Sequence, residues 1–290
     1  MTEDDVYHFT AAGYSVILQM RLVVFFILAY AISWLIWLPL YGPHVGITGL
    51  PVLPYHHALG AFGPLLAAAV MHRGEGTFSS FAKGFVRVGN VWYLLVALLS
   101  PFVLLVAALL AYGLVSGTPA GMGGIGQSKE FPEFGVIGFT LYNIFTFGFG
   151  EEAGWRGYAL PKLQQRYSPL TATLVLTVFW AAWHIPLFLY RPGYTGMDVG
   201  GIAGWVFSLL TGSVLLTWLF RGSKQSILVC AVFHATIDVA FTSAVPPAVN
   251  GYIGFAITVW GIITAWWLYK QKQWEHKLSL PASCYIWCLS

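Results

Sequence analysis

Six side chains could do chemistry in this sequence because of where they stand. Glu151, Glu152 and Arg156 follow the apolar stretch FGVIGFTLYNIFTFG, His184 ends the run WAAWH, and His234 and Asp238 interrupt VCAVFHATIDVAF. Polar and ionisable groups inside hydrocarbon are costly, so each is a functional hypothesis. Glu152 and Arg156 are four residues apart and stack on one helix face, where an ion pair would lower the burial cost of both. Glu151 is rotated by about 100° from Glu152 and is expected to remain unpaired. Two neighbouring carboxylates in unlike environments can divide their work, one structural and one chemical. His234 shares a face with Asp238, and His184 shares one with Trp180. A buried Glu is a workable general base for water, and a histidine can stabilise a developing oxyanion. Peptide hydrolysis fits this set. So does a catalytic zinc held by Glu151, His184 and His234, since Glu plus two His is a common zinc set.

The elements that must position these groups follow from composition. Of 290 residues 58% are hydrophobic and 9% are charged, with mean hydropathy +0.72. A soluble domain carries roughly 25% charged residues, so this chain reads as an all-α, polytopic membrane protein. Nothing points to nucleic acid, and the basic residues suit anionic lipid. The acidic start MTEDD lacks a basic n-region, so the first apolar run reads as a retained helix. Cys230, Cys284 and Cys288 form no disulfide framework, and position 287 is Trp, which breaks a C-terminal lipidation box.

Eight segments have the apolar character of a membrane helix: 22–41, 56–72, 91–115, 137–160, 170–190, 201–220, 225–245 and 252–269. With both termini cytoplasmic, twelve Lys and Arg residues fall on the cytoplasmic side, and only Lys129 and Arg191 fall on the other. Counted from cytoplasmic helix ends, Glu151, His184 and His234 lie about 15–20 Å deep, in one mid-membrane layer between helices four, five and seven. The same arithmetic opens the site toward the cytoplasm. The Gly-rich stretch 116–133 reads as an external tether, and His44, His56 and His57 read as interface residues. Gly150 and Gly154 would admit another helix close to helix four. The whole chain, 1–290, reads as one polytopic domain, with the polar set in a core at about 137–245, the protease core if the chemistry is peptide hydrolysis.

The stretches EEAGWR (151–156), WAAWH (180–184) and HATID (234–238) resemble the motifs EExxxR, FxxxH and Hxxx(N/D) of the CPBP family. These are the type II CAAX prenyl endopeptidases and their bacteriocin-processing and abortive-infection-like relatives. The resemblance implies an intramembrane endopeptidase in which Glu151 and His184 activate water. His234 and Asp238 would form the oxyanion pocket, with Glu152, Arg156 and Trp180 in support. It implies a mechanism without metal, although zinc stays open. The implied partners are the bilayer and a membrane-associated protein or peptide, which a prenylated CAAX tail would satisfy. The implied location is a multi-pass integral membrane protein, in the cell membrane if prokaryotic. Trp180 stands where Phe is usual, and Asp238 where Asn is typical of the prenyl-protease branch. An Asp anion cannot donate to an oxyanion, so it must be protonated or must orient His234. A proton-coupled transporter using the same polar relay, and a catalytically silent scaffold, are the alternatives.

Overall fold

A computed structural model describes residues 3–128 and 131–279, with side chains described from 16 to 270 apart from that gap. Lys129, the side chains of Lys272 and Lys277, and the tail with Cys284 and Cys288 lie outside the described residues.

The described fold is all-helical, with a single isolated bridge between Ser128 and Ser243. Four stretches are long and apolar enough to cross a membrane: Val16–Val45, Val91–Ser116, Val199–Gly222 and Pro247–Lys270. The first runs from α1 (Glu3–Tyr41) into the 3-10 turn Gly42–Val45, and the others belong to α5 (Val91–Ser116), α11 (Val199–Gly222) and α13 (Pro247–Ser279). The other expected segments are helical too, but short or interrupted. The second divides into α2 (His56–Gly60) and α3 (Gly63–Gly74), followed by α4 (Phe78–Gly84). The fourth runs as α6 (Val136–Asn143), α7 (Phe149–Gly154) and α8 (Leu160–Gln164), joined by π-helical segments Ile144–Gly148 and Trp155–Ala159. The fifth, expected to continue to 190, stops as α9 (Pro169–Trp183), turns at 184–186, and resumes as the one-turn α10 (Leu187–Tyr190). The seventh is α12 (Ile227–Thr242).

Local sequence sets several of these ends. Asn90, Ser168, Asp198 and Ser226 each accept a hydrogen bond from a backbone N–H in the first turn of α5, α9, α11 and α12. Gly117 closes α5 at φ 70°, a conformation that costs glycine no Cβ clash.

Helix α12 is central. Thr236 Oγ1 donates to Ala97 O of α5 at 2.7 Å, and buried faces of α12 meet α5, α7 and α11. Two sets of connections define two faces. On one, Lys162 and Tyr158 both reach Glu75, Arg21 lies 3.8 Å from Glu75, and Arg87 donates to Lys224 O. On the other, Tyr55 donates to Glu133, His57 pairs with the Tyr190 hydroxyl, and Gly126 N donates to Ser243 Oγ. Ala244 N also donates to the carbonyls of Gly124 and Gln127. The 116–133 connection, read as a tether, is therefore fastened onto the end of α12.

Candidate active site

The site is built from α7 outward. Cβ atoms at Gly150 and Gly154 would lie 2.6 Å from Ala61 O and 2.4 Å from Pro64 Cβ. Glycine at both positions lets the α2–α3 break press against α7. The π segments on either side of α7 widen the helix locally, a feature often found at functional sites.

Glu152 and Arg156 are both fully buried, and Arg156 Nη1 donates to Glu152 Oε1 at 2.9 Å. The sequence pointed to this pair but not to its other partners. His234 Nδ1 also donates to Glu152 Oε1, at 2.7 Å, and Arg156 Nη2 donates to Ser213 Oγ of α11 at 2.9 Å. The Arg156 guanidinium lies 4.6 Å from the centre of the Trp180 ring. Glu151, expected to stand unpaired, accepts a 2.7 Å hydrogen bond from Trp180 Nε1 at Oε2. Its Oε1 lies 4.0 Å from His234 Nε2. A phenylalanine at 180 could not make that bond.

His184 is the residue at which α9 ends, not an interior helix position. Its Nδ1 faces Trp180 O at 2.7 Å; a carbonyl only accepts, so the proton sits on Nδ1 and Nε2 is the ring's acceptor. His234 is fixed by the same logic: Glu152 Oε1 accepts from Nδ1–H, so Nε2 is the atom offered to chemistry. It stands 3.5 Å from Asp238 Oδ2. Asp238 is 35% exposed while Glu152 and Arg156 are at zero, which divides the polar set into a cavity-facing group and a buried support.

Glu151, His184, His234 and Asp238 all line one cavity of about 380 Å³. Aromatic rings of Trp37, Phe131, Phe139, Phe147 and Trp183 form much of the remaining wall. His57, read as an interface residue, is in this wall, paired with Tyr190 and stacked on Trp37. Ser128 and Phe131 of the 116–133 connection also line it. The expected opening toward the basic face is not what the cavity shows: the loops that line it belong to the other face. Depth counting failed because α9 ends early, leaving the residues beyond His184 to wall the cavity. No group of three His, Cys, Asp or Glu side chains among the described residues is gathered closely enough to hold a metal.

Residues 133–240 match the family described as Rce1-like, type II CAAX prenyl endopeptidase. That segment of the chain is similar to this family, in agreement with the motif resemblance at residues 151–156, 180–184 and 234–238. A CAAX prenyl protease 2 from Methanococcus maripaludis is 23% identical over 231 residues, covering 74% of this chain and 82% of that relative. Both similarities support a peptide hydrolase over a transporter or a silent scaffold, and the apolar helices suit a multi-pass membrane protein. The matched segment runs from just before α6 to within α12 and contains every residue of the polar set.

Proposed function

We propose that the chain is an eight-span intramembrane endopeptidase, both termini cytoplasmic, that cleaves membrane-associated proteins or peptides at a mid-membrane site. The observation that carries this reading is that Glu151, His184, His234 and Asp238, from three helical segments, share one cavity while Glu152 and Arg156 are sealed behind them. Water donates one hydrogen to the Glu151 carboxylate and one to His184 Nε2, which aims its lone pair at the scissile carbonyl. Glu151 takes the first proton as the carbon–oxygen bond forms, and returns it to the departing amine as the carbon–nitrogen bond breaks. Protonated His234 donates from Nε2 to the oxyanion. Asp238, an acceptor, supports that charged imidazole and does not donate itself, which accommodates Asp in place of Asn. Glu152 and Arg156 hold His234 and Trp180, and Trp180 holds Glu151. Prenylated CAAX tails and leader-bearing peptides are both substrate candidates for this chemistry.

The test compares protein termini in membranes carrying wild type and Glu151→Gln at equal expression. Termini that vanish in the variant identify both activity and substrate; identical sets would overturn the role given to Glu151.

A further inference from the structure

The two faces of the fold differ in charge, and the cavity belongs to one of them. Arg73, Lys83, Arg87, Lys162, Arg166, Arg221 and Lys224 cluster at the ends of helices whose connections touch through Glu75 and Lys224. None of them lines the cavity; Ser128, Phe131, Arg191, Tyr194 and Thr242 do, from connections joined on the opposite face. Helix length carries the point further. Helices α9 and α12 have 15 and 16 residues, or about 22 and 24 Å, against a hydrocarbon core of about 30 Å. Both begin at the basic face, where Ser168 and Ser226 cap them and Ser226 bonds Arg87 O. Their missing length is therefore all on the other side, directly over His184 and Asp238. Non-helical backbone at membrane depth is tolerated only where it is buried in protein or lines an aqueous cavity; in the turn at 184–186, His184 lines the cavity and Pro186 is buried.

Cytoplasmic connections carry the excess of Lys and Arg. We propose that this cavity admits water and substrate from the extracytoplasmic face, so that the protease acts on membrane-bound proteins presenting an apolar scissile segment on that side. The substrate class rests on the endopeptidase reading above; the direction of access does not. Aromatic walls suit apolar side chains, and a cytoplasmic lipidated tail would meet the closed, basic face instead.

Single cysteines decide it. Cys284 and Cys288 are replaced, while Cys230 is buried in α12 and can remain. Thr195→Cys, in an exposed loop, and Thr242→Cys, in the cavity wall, should react with a membrane-impermeant maleimide added to intact cells. Ser79→Cys, on the basic face, should react only after permeabilisation. Blocking Thr242→Cys from outside should cut production of the Glu151-dependent termini at least tenfold. The reverse labelling pattern would overturn the proposal and restore cytoplasmic substrates. The expected labelling with termini that are the same in wild type and Glu151→Gln would uphold the access and remove Glu151 from the chemistry, so the two readings fail separately.

Discussion

At the scale of single residues, the motif spacings brought the right side chains together but did not disclose how they are held. Glu151→Gln keeps the shape and removes the base, so hydrolysis should fall by about 10³-fold or more, with an unchanged melting temperature. Glu152→Gln should do something different. It takes the charge from a fully buried pair that also anchors His234, which costs on the order of 3–5 kcal/mol of stability. A thermal melt in detergent, read beside activity, separates the two substitutions. Trp180→Phe retains the ring over Arg156 and deletes only the indole donor to Glu151. Loss of one hydrogen bond to a charged group is worth about 1.5–3 kcal/mol, so kcat should drop by roughly 10-fold or more with KM little changed. An unaltered kcat would mean that the indole bond does not position the base. The Glu152–Arg156 pair was legible because four residues is one helical turn. The Glu152–His234 bond was not, because it joins positions 82 residues apart and depends on how α12 is rotated against α7.

At the scale of elements, eight apolar segments were legible and their interruptions were not. Hydrophobic runs report what can be buried, not whether the backbone stays helical within the run. The stop at His184 and the break between α2 and α3 are tertiary consequences of packing around α7. The Gly-xxx-Gly spacing did foretell a close neighbour, and the neighbour is the broken α2–α3 segment. Gly154→Leu would drive its side chain into Pro64 and should cost about 1–3 kcal/mol or more, seen as a lower melting temperature. The basic face offers a pH test. Burial alone would raise the Glu75 carboxyl, but hydrogen bonds from Lys162 and Tyr158 outweigh it and hold it below its ordinary value of 4.5. A depressed carboxylate contributes stability above its unfolded pKa and loses it as pH falls through the folded one. Wild type should therefore lose melting temperature more steeply than Lys162→Met as pH drops below 4.5.

At the scale of the whole molecule, charge asymmetry was the most legible feature, since positive-inside bias needs only a sequence and a set of spans. The side on which the cavity opens was not legible, because it depends on where two helices fall short. One of them, α9, presents Leu174, Val178 and Phe179 outward and so has a physical effect outside the protein. A bilayer must match the hydrophobic belt it surrounds, and it meets a short one by thinning or tilting, at fractions of a kcal/mol per ångström. With α9 about 8 Å shorter than the hydrocarbon is thick, lipid against its exposed face should be compressed. Reconstituted activity should thus rise in short-chain lipids and fall in long-chain ones, at equal protein incorporation. Acyl-chain length would then act as a rheostat on this enzyme, set by the composition of the surrounding membrane.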